Sequence, residues 1–165
     1  MNKIKNIVIL VNLVLLLGYF NWSILAKEKT LGSGQLVLLE LAPVDPRSLM
    51  QGDYMRLNYA IAFRPGDKTK LAKRGYCIVK LDSNKVARFV RYQDKMLPLN
   101  AGEQPIKYFS KGSRFLPVNL GAESYFFEEG MGKKYEGAKY GALKIDAEGN
   151  SILTGLYDKN FRLIL

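Results

Sequence analysis

The sequence predicts a mainly β domain, built of antiparallel hairpins with one or two short helices, behind a single N-terminal transmembrane helix. Three observations predict it. Ile7 to Ala26 is a nearly continuous apolar run, interrupted by Asn12 and Asn21. Beyond it, apolar and polar residues alternate with period two in several short windows, as half-buried strands require. Turn signals separate those windows, among them Pro65-Gly66, Asp82-Ser83-Asn84 and Glu148-Gly149-Asn150.

The 20 residues of the apolar run would make a helix about 30 Å long, enough to cross a bilayer core. Tyr19 and Trp22 lie near its far end, where amphipathic aromatics favour the headgroup region. Ile24 stands where signal peptidase prefers a small residue, so residues 1–26 read as an uncleaved signal-anchor with the lipid bilayer around residues 7–26. Lys3 and Lys5 are matched by Lys27 and Lys29; the very short leading tail favours the N-terminus inside. Asn12 could hydrogen-bond to a neighbouring helix in the membrane.

Residues 27–34 read as a polar linker and residues 35–165 as one domain. Gln35 to Leu41 reads as a buried first strand. Asp45 is placed to N-cap a turn, Pro46 suits its first position, and Gly52 can end it. From Asp53 the period is two: Met55, Leu57, Tyr59, Ile61 and Phe63 share one face. Gly75 to Leu81 and Lys85 to Tyr92 form the clearest hairpin. Ile106 to Ser110, Arg114 to Val118 and Glu123 to Glu129 are further strands. Gly132 to Tyr140 suits a short helix on which Met131 and Tyr135 stack. Ala142 to Ala147 and Ser151 to Tyr157 form a second hairpin. The apolar tail from Phe161 to Leu165 suits docking on the domain or binding a neighbour.

Two motifs stand out. Gly52-Asp53-Tyr54 is followed by Leu57 and Tyr59, and a Glu-Gly element precedes Tyr135-Glu136-Gly137-Ala138-Lys139-Tyr140-Gly141. Their spacing and order resemble the GDYXXLXY family of membrane-anchored bacterial proteins, whose activity is unassigned. The resemblance implies a bacterial inner membrane, with the domain in the periplasm or outside. It also implies a polytopic membrane protein as partner. The motif residues equally suit a capped turn pinned to a strand and a helix plugging a sheet. Arg47, Asp53, Tyr54 and Arg56 are the candidate partner surface, with Tyr135, Glu136 and Tyr140 as a second set.

Composition excludes several functions. The chain has no histidine, which removes Ser-His-Asp and Cys-His catalysis and histidine metal sites. Its one cysteine, Cys77, sits in an apolar strand-like run and reads as a small hydrophobe. Adjacent strand residues such as Glu128 and Glu129 face opposite ways, so they do not make a carboxylate pair. No catalytic residue, metal or cofactor is expected. The net charge is +10, of which residues 1–30 carry +3, leaving +7 for the remainder. Those charges are scattered and no nucleic-acid module is visible. The expected function is a non-enzymatic binding or assembly module. The basic charge and 10 tyrosines also allow a lipid- or glycan-binding surface domain. A Ser/Lys hydrolase related to signal peptidase would need Ser48 paired with Lys80 or Lys85, and nothing in the sequence pairs them.

Overall fold

The computed structural model describes residues 2–42, 54–63, 71–110 and 118–165, with Asn2 and Tyr54 described by their backbones alone. The predicted Asp45–Gly52 turn, the Pro65-Gly66 turn and all of the Arg114–Val118 strand but Val118 lie outside the described residues, as do Arg47 and Asp53.

The chain opens with α1 (Asn2–Ser33), 32 residues and about 48 Å long. It is long and apolar enough to cross a membrane, consistent with a single-pass anchor, and its apolar span is not covered by the domain. Asn12 and Asn21 donate their side-chain amides to Val8 and Leu17 carbonyls one turn back, which gives each a partner within its own helix.

The expected linker at 27–34 is not one: its residues continue α1 to Ser33. Lys27, Glu28, Lys29 and Leu31 are good helix formers, and that local propensity outweighs the polar composition. Tertiary contact supports the extra turns. Thr30 is buried, and its hydroxyl donates to Asp146 Oδ2 at 2.9 Å. Gly34 ends the helix at a close approach: a Cβ there would overlap the Thr30 carbonyl oxygen. The anchor thus runs into β1 with only Gly34 between them.

The domain is antiparallel β, as its pattern predicts. Its strands are β1 (Gln35–Glu40), β2 (Tyr54–Arg56), β3 (Arg74–Leu81), β4 (Ala87–Gln93), β5 (Glu103–Phe109), β6 (Ser124–Phe126), β7 (Tyr140–Ile145) and β8 (Ser151–Tyr157). They form three sheets, ordered β1-β7-β8, β2-β6 and β4-β3-β5. Leu38 and Val86 bridge the first sheet to the third. One core lies between them, drawing Val37 and Leu39 from β1, Cys77 and Val79 from β3, Ile106 from β5 and Leu143 from β7. The hairpin turns are tied by side chains: Asp82 Oδ1 accepts from the Asn84 and Val86 amides, and Asp146 Oδ1 from those of Glu148 and Asn150. The tail docks on β8, where the Ile164 amide donates to the Leu156 carbonyl and covers that sheet edge.

Four expectations are corrected in extent. The second strand is only β2, because the chain closes a 3-10 turn over Ala60–Phe63. There the Ala62 amide donates to the Tyr59 carbonyl, burying Ile61 and Ala62 together and leaving Phe63 45% exposed. Strand β6 is three residues, shorter than Glu123 to Glu129, since Glu123 bends to bind the Leu120 and Gly121 amides. The second helix, α2, is the single turn Gly132–Tyr135, and Met131 is exposed rather than stacked. In β4 the register slips opposite Ile78 and Val79: Val90 is skipped in the pairing, so the strict alternation fails there.

Arg91 of β4 grips Glu103 at the start of β5 through two bonds, at 2.8 and 3.0 Å. The Arg91 bonds, helped by the Asn100 amide, hold the Glu103 carboxyl down to about 2 from its ordinary 4.5. A depressed carboxyl contributes stability that is complete above its unfolded value and lost as pH falls through the folded one. Melting temperature should therefore fall between pH 4.5 and 2, and less steeply in Glu103→Gln. Equal slopes in thermal melts of the two proteins would remove this pair from the account.

Candidate functional site

The two motifs lie some eighty residues apart in sequence, yet they meet. A cleft of about 230 Å³ is lined by Leu41 and Ala42 after β1, by Met55 to Asn58, and by Tyr135, Glu136, Ala138 and Lys139. Backbone pairing builds it. The Leu41 amide donates to the Lys139 carbonyl, and the Ala42 amide to the Asn58 carbonyl. The end of β1 is thereby clamped between the two motifs. Lys139 Nζ also reaches Glu40 at 3.4 Å, a half-exposed pair that contributes little to stability.

Most of the motif residues hold the cleft together. Leu57 is 2% exposed and packs in the core. Tyr59 is 1% exposed, and its hydroxyl donates to the Ala122 carbonyl at 2.5 Å. Burial, and then the charge of Glu123, push the Tyr59 phenol well above its ordinary value. The Tyr59 ring lies flush on Gly141, where a Cβ would stand 2.9 Å from Cε1. The last tyrosine of the first motif therefore requires the last glycine of the second.

Tyr135 is buried and fixes α2 to β6, with ring centroids 5.1 Å from Tyr125 and 5.3 Å from Phe127. Burial, with a hydrogen bond to Tyr135, pushes Tyr125 up to about 12. Tyr140 leaves the cleft altogether. It stacks on Phe161 at 5.1 Å, packed against the small cluster of Leu38, Val86 and Ala142.

Of the predicted surface set, Arg56 and Glu136 are exposed at the cleft. Tyr135 forms part of its wall and Tyr140 lies elsewhere. Tyr54 pairs with Phe126 through β2, and Arg47 and Asp53 lie outside the described residues. Sequence reasoning missed Leu41, Ala42, Asn58 and Lys139. Asn58 carried a signal, since it alternates with Leu57 and Tyr59 and so faces away from the core. The other three reach the cleft only through pairing across the fold.

No group of His, Cys, Asp or Glu side chains suited to a metal occurs among the described residues. Cys77 is fully buried, and burial pushes its thiol up to about 12, far from a reactive thiolate. Lys80 and Lys85 are exposed, and Ser48 lies outside the described residues. A larger cavity, about 610 Å³, lies beside β3 and β5 and is reached by Arg74, Asp94, Lys107 and Tyr108. No motif residue lines it. The Tyr108 hydroxyl is buried there without a hydrogen-bond partner among the described residues, tucked against Gly75.

Comparison with curated proteins and with solved structures finds no match. The profile of one family, described as GDYXXLXY protein, matches residues 16–156, from the middle of α1 to the end of β8. With both motifs inside that span and joined at one cleft, the chain belongs to the GDYXXLXY family.

Proposed function

We propose that the protein is a membrane-tethered, non-enzymatic binding module that contacts a polytopic membrane protein through the cleft between its two motifs. In this reading it sits in a bacterial inner membrane with the domain in the periplasm. The observation that carries the reading is convergence: motifs remote in sequence build one cleft with exposed polar residues at its rim. The run of α1 straight into β1, tied by Thr30 to Asp146, adds support, since it leaves no coil linker between the anchor and the domain that carries the cleft.

The experiment is a tagged purification from membranes in mild detergent. Glu136→Lys combined with Lys139→Glu alters the rim; Lys95→Glu, exposed and outside the cleft, is the control. One polytopic membrane protein should copurify with wild type and control, and fall at least tenfold with the rim variant. Absence of any such protein, or equal recovery from all three, contradicts the reading.

A further inference from the structure

The anchor meets the domain at the depth of lipid headgroups. The apolar run ends at Ala26. Thr30, which donates to Asp146, is four residues on, about 6 Å along the helix. The headgroup layer on one side of a bilayer is itself about 5–8 Å deep. The turn between β7 and β8 therefore stands in that layer when α1 spans. Beside it opens a pocket of about 520 Å³, with Ala26, Lys29 and Ser33 of α1 on one wall and Asp146, Glu148 and Asn150 of the turn on the other. Gln35 and Gln104, at the starts of β1 and β5, also line it. Ala42 and Ser110, beyond which residues are undescribed, stand past the opposite ends of those two strands, about 20 Å away.

The turn is braced. Lys107 Nζ donates to Asn150 Oδ1 at 2.7 Å, and Gln104 Nε2 to the Asp146 carbonyl at 3.2 Å. Asp146 is fully engaged by the fold, accepting from Thr30, the Glu148 amide, and both the amide and side chain of Asn150. Lys29 and Glu148 are not engaged. Both are exposed, and neither side chain has a hydrogen bond or ion pair among the described residues. One positive and one negative charge thus line a single pocket without reaching each other. That arrangement complements a ligand carrying both charges. Trp22 lies on the same face of α1 as Ala26, Lys29 and Ser33, one turn deeper in the membrane.

We propose that this pocket holds the headgroup of a zwitterionic phospholipid with a primary ammonium, a phosphatidylethanolamine. Its phosphate meets Lys29, its ammonium donates to Glu148, and its acyl chains run along α1 past Trp22. A choline head has no N–H to donate to Glu148, and a glycerol head has no positive charge to offer it. The pocket therefore selects among lipids by a charge-assisted hydrogen bond.

The test uses Trp22, the single tryptophan, as reporter. The full chain is reconstituted into phosphatidylcholine vesicles holding a minor fraction of one lipid with brominated acyl chains, which quench tryptophan on contact. Brominated phosphatidylethanolamine should quench with an apparent affinity about tenfold above the brominated choline and glycerol lipids, the scale of one charge-assisted hydrogen bond. Glu148→Gln should abolish that preference and Lys29→Gln reduce it. Lys95→Gln, exposed and outside the pocket, should retain it. Equal quenching by the three lipids, stronger quenching by the glycerol lipid, or a preference that survives Glu148→Gln would overturn the proposal. Relief of quenching by dissolved phosphoethanolamine at the same headgroup concentration would also overturn it, assigning the pocket to a free zwitterion. No partner protein is present, so the outcome is independent of the binding-module reading.

Discussion

Replacing Tyr59 with alanine is expected to destabilise the domain by about 3–5 kcal/mol, the cost of emptying a large aromatic site in a packed core. Three features put Tyr59 at that level. It is 1% exposed, it belongs to the core cluster that draws residues from every sheet, and its hydroxyl reaches the carbonyl of Ala122. That carbonyl belongs to the loop that Glu123 ties through the Leu120 and Gly121 amides. Tyr59→Phe removes only the hydroxyl and should cost about 1–3 kcal/mol, mostly by leaving the Ala122 oxygen buried without its donor. Urea unfolding of the detergent-solubilised chain, followed by aromatic circular dichroism, separates the two variants. A phenylalanine variant as damaged as the alanine one would place the cost in the hydroxyl alone.

Gly141→Ala is expected to cost about 1–3 kcal/mol through overpacking. The new methyl would stand 2.9 Å from Tyr59 Cε1 and 3.1 Å from its hydroxyl. Neither side has room to retreat. Gly141 is paired to Leu39 on one side and to Leu156 on the other, and the Tyr59 ring is pinned at its far end. The penalty should shrink in a Tyr59→Leu background, because the clash and the ring are one interaction and contacting residues are not additive. Gly137→Ala, where no described atom lies within 4 Å, should stay within about 0.5 kcal/mol of wild type. Additive costs in the double variant would break the link between the two motifs.

These two residues also show what the sequence made legible. Period two from Met55 correctly sends Met55, Leu57, Tyr59 and Ile61 inward, because each is apolar and each neighbour is less so. It fails at Phe63, where a 3-10 turn resets the phase, and in β4, where Val90 bulges. Both are breaks of backbone geometry that side-chain alternation does not encode. The linker reading fails for the converse reason. Polar residues at 27–33 are compatible with helix, and what decides the matter is Thr30 meeting Asp146, 116 positions away. The cleft was legible only in half. Both motifs are visible in the chain, and Arg56 and Glu136, one from each candidate set, stand exposed at its rim. That the motifs touch, and that Leu41 and Lys139 lock them together, depends on β1 pairing with β7, which no local pattern specifies.

In the binding-module reading, the cleft where the motifs meet is the contact surface. Site-specific photo-crosslinking in intact membranes tests it most directly. A photoreactive amino acid is placed at Glu136, exposed on the cleft, and separately at Lys95, exposed and remote from it. One adduct, with a polytopic membrane protein, is expected from position 136 and none from position 95. The same adducts from both positions, or none from position 136, would contradict it.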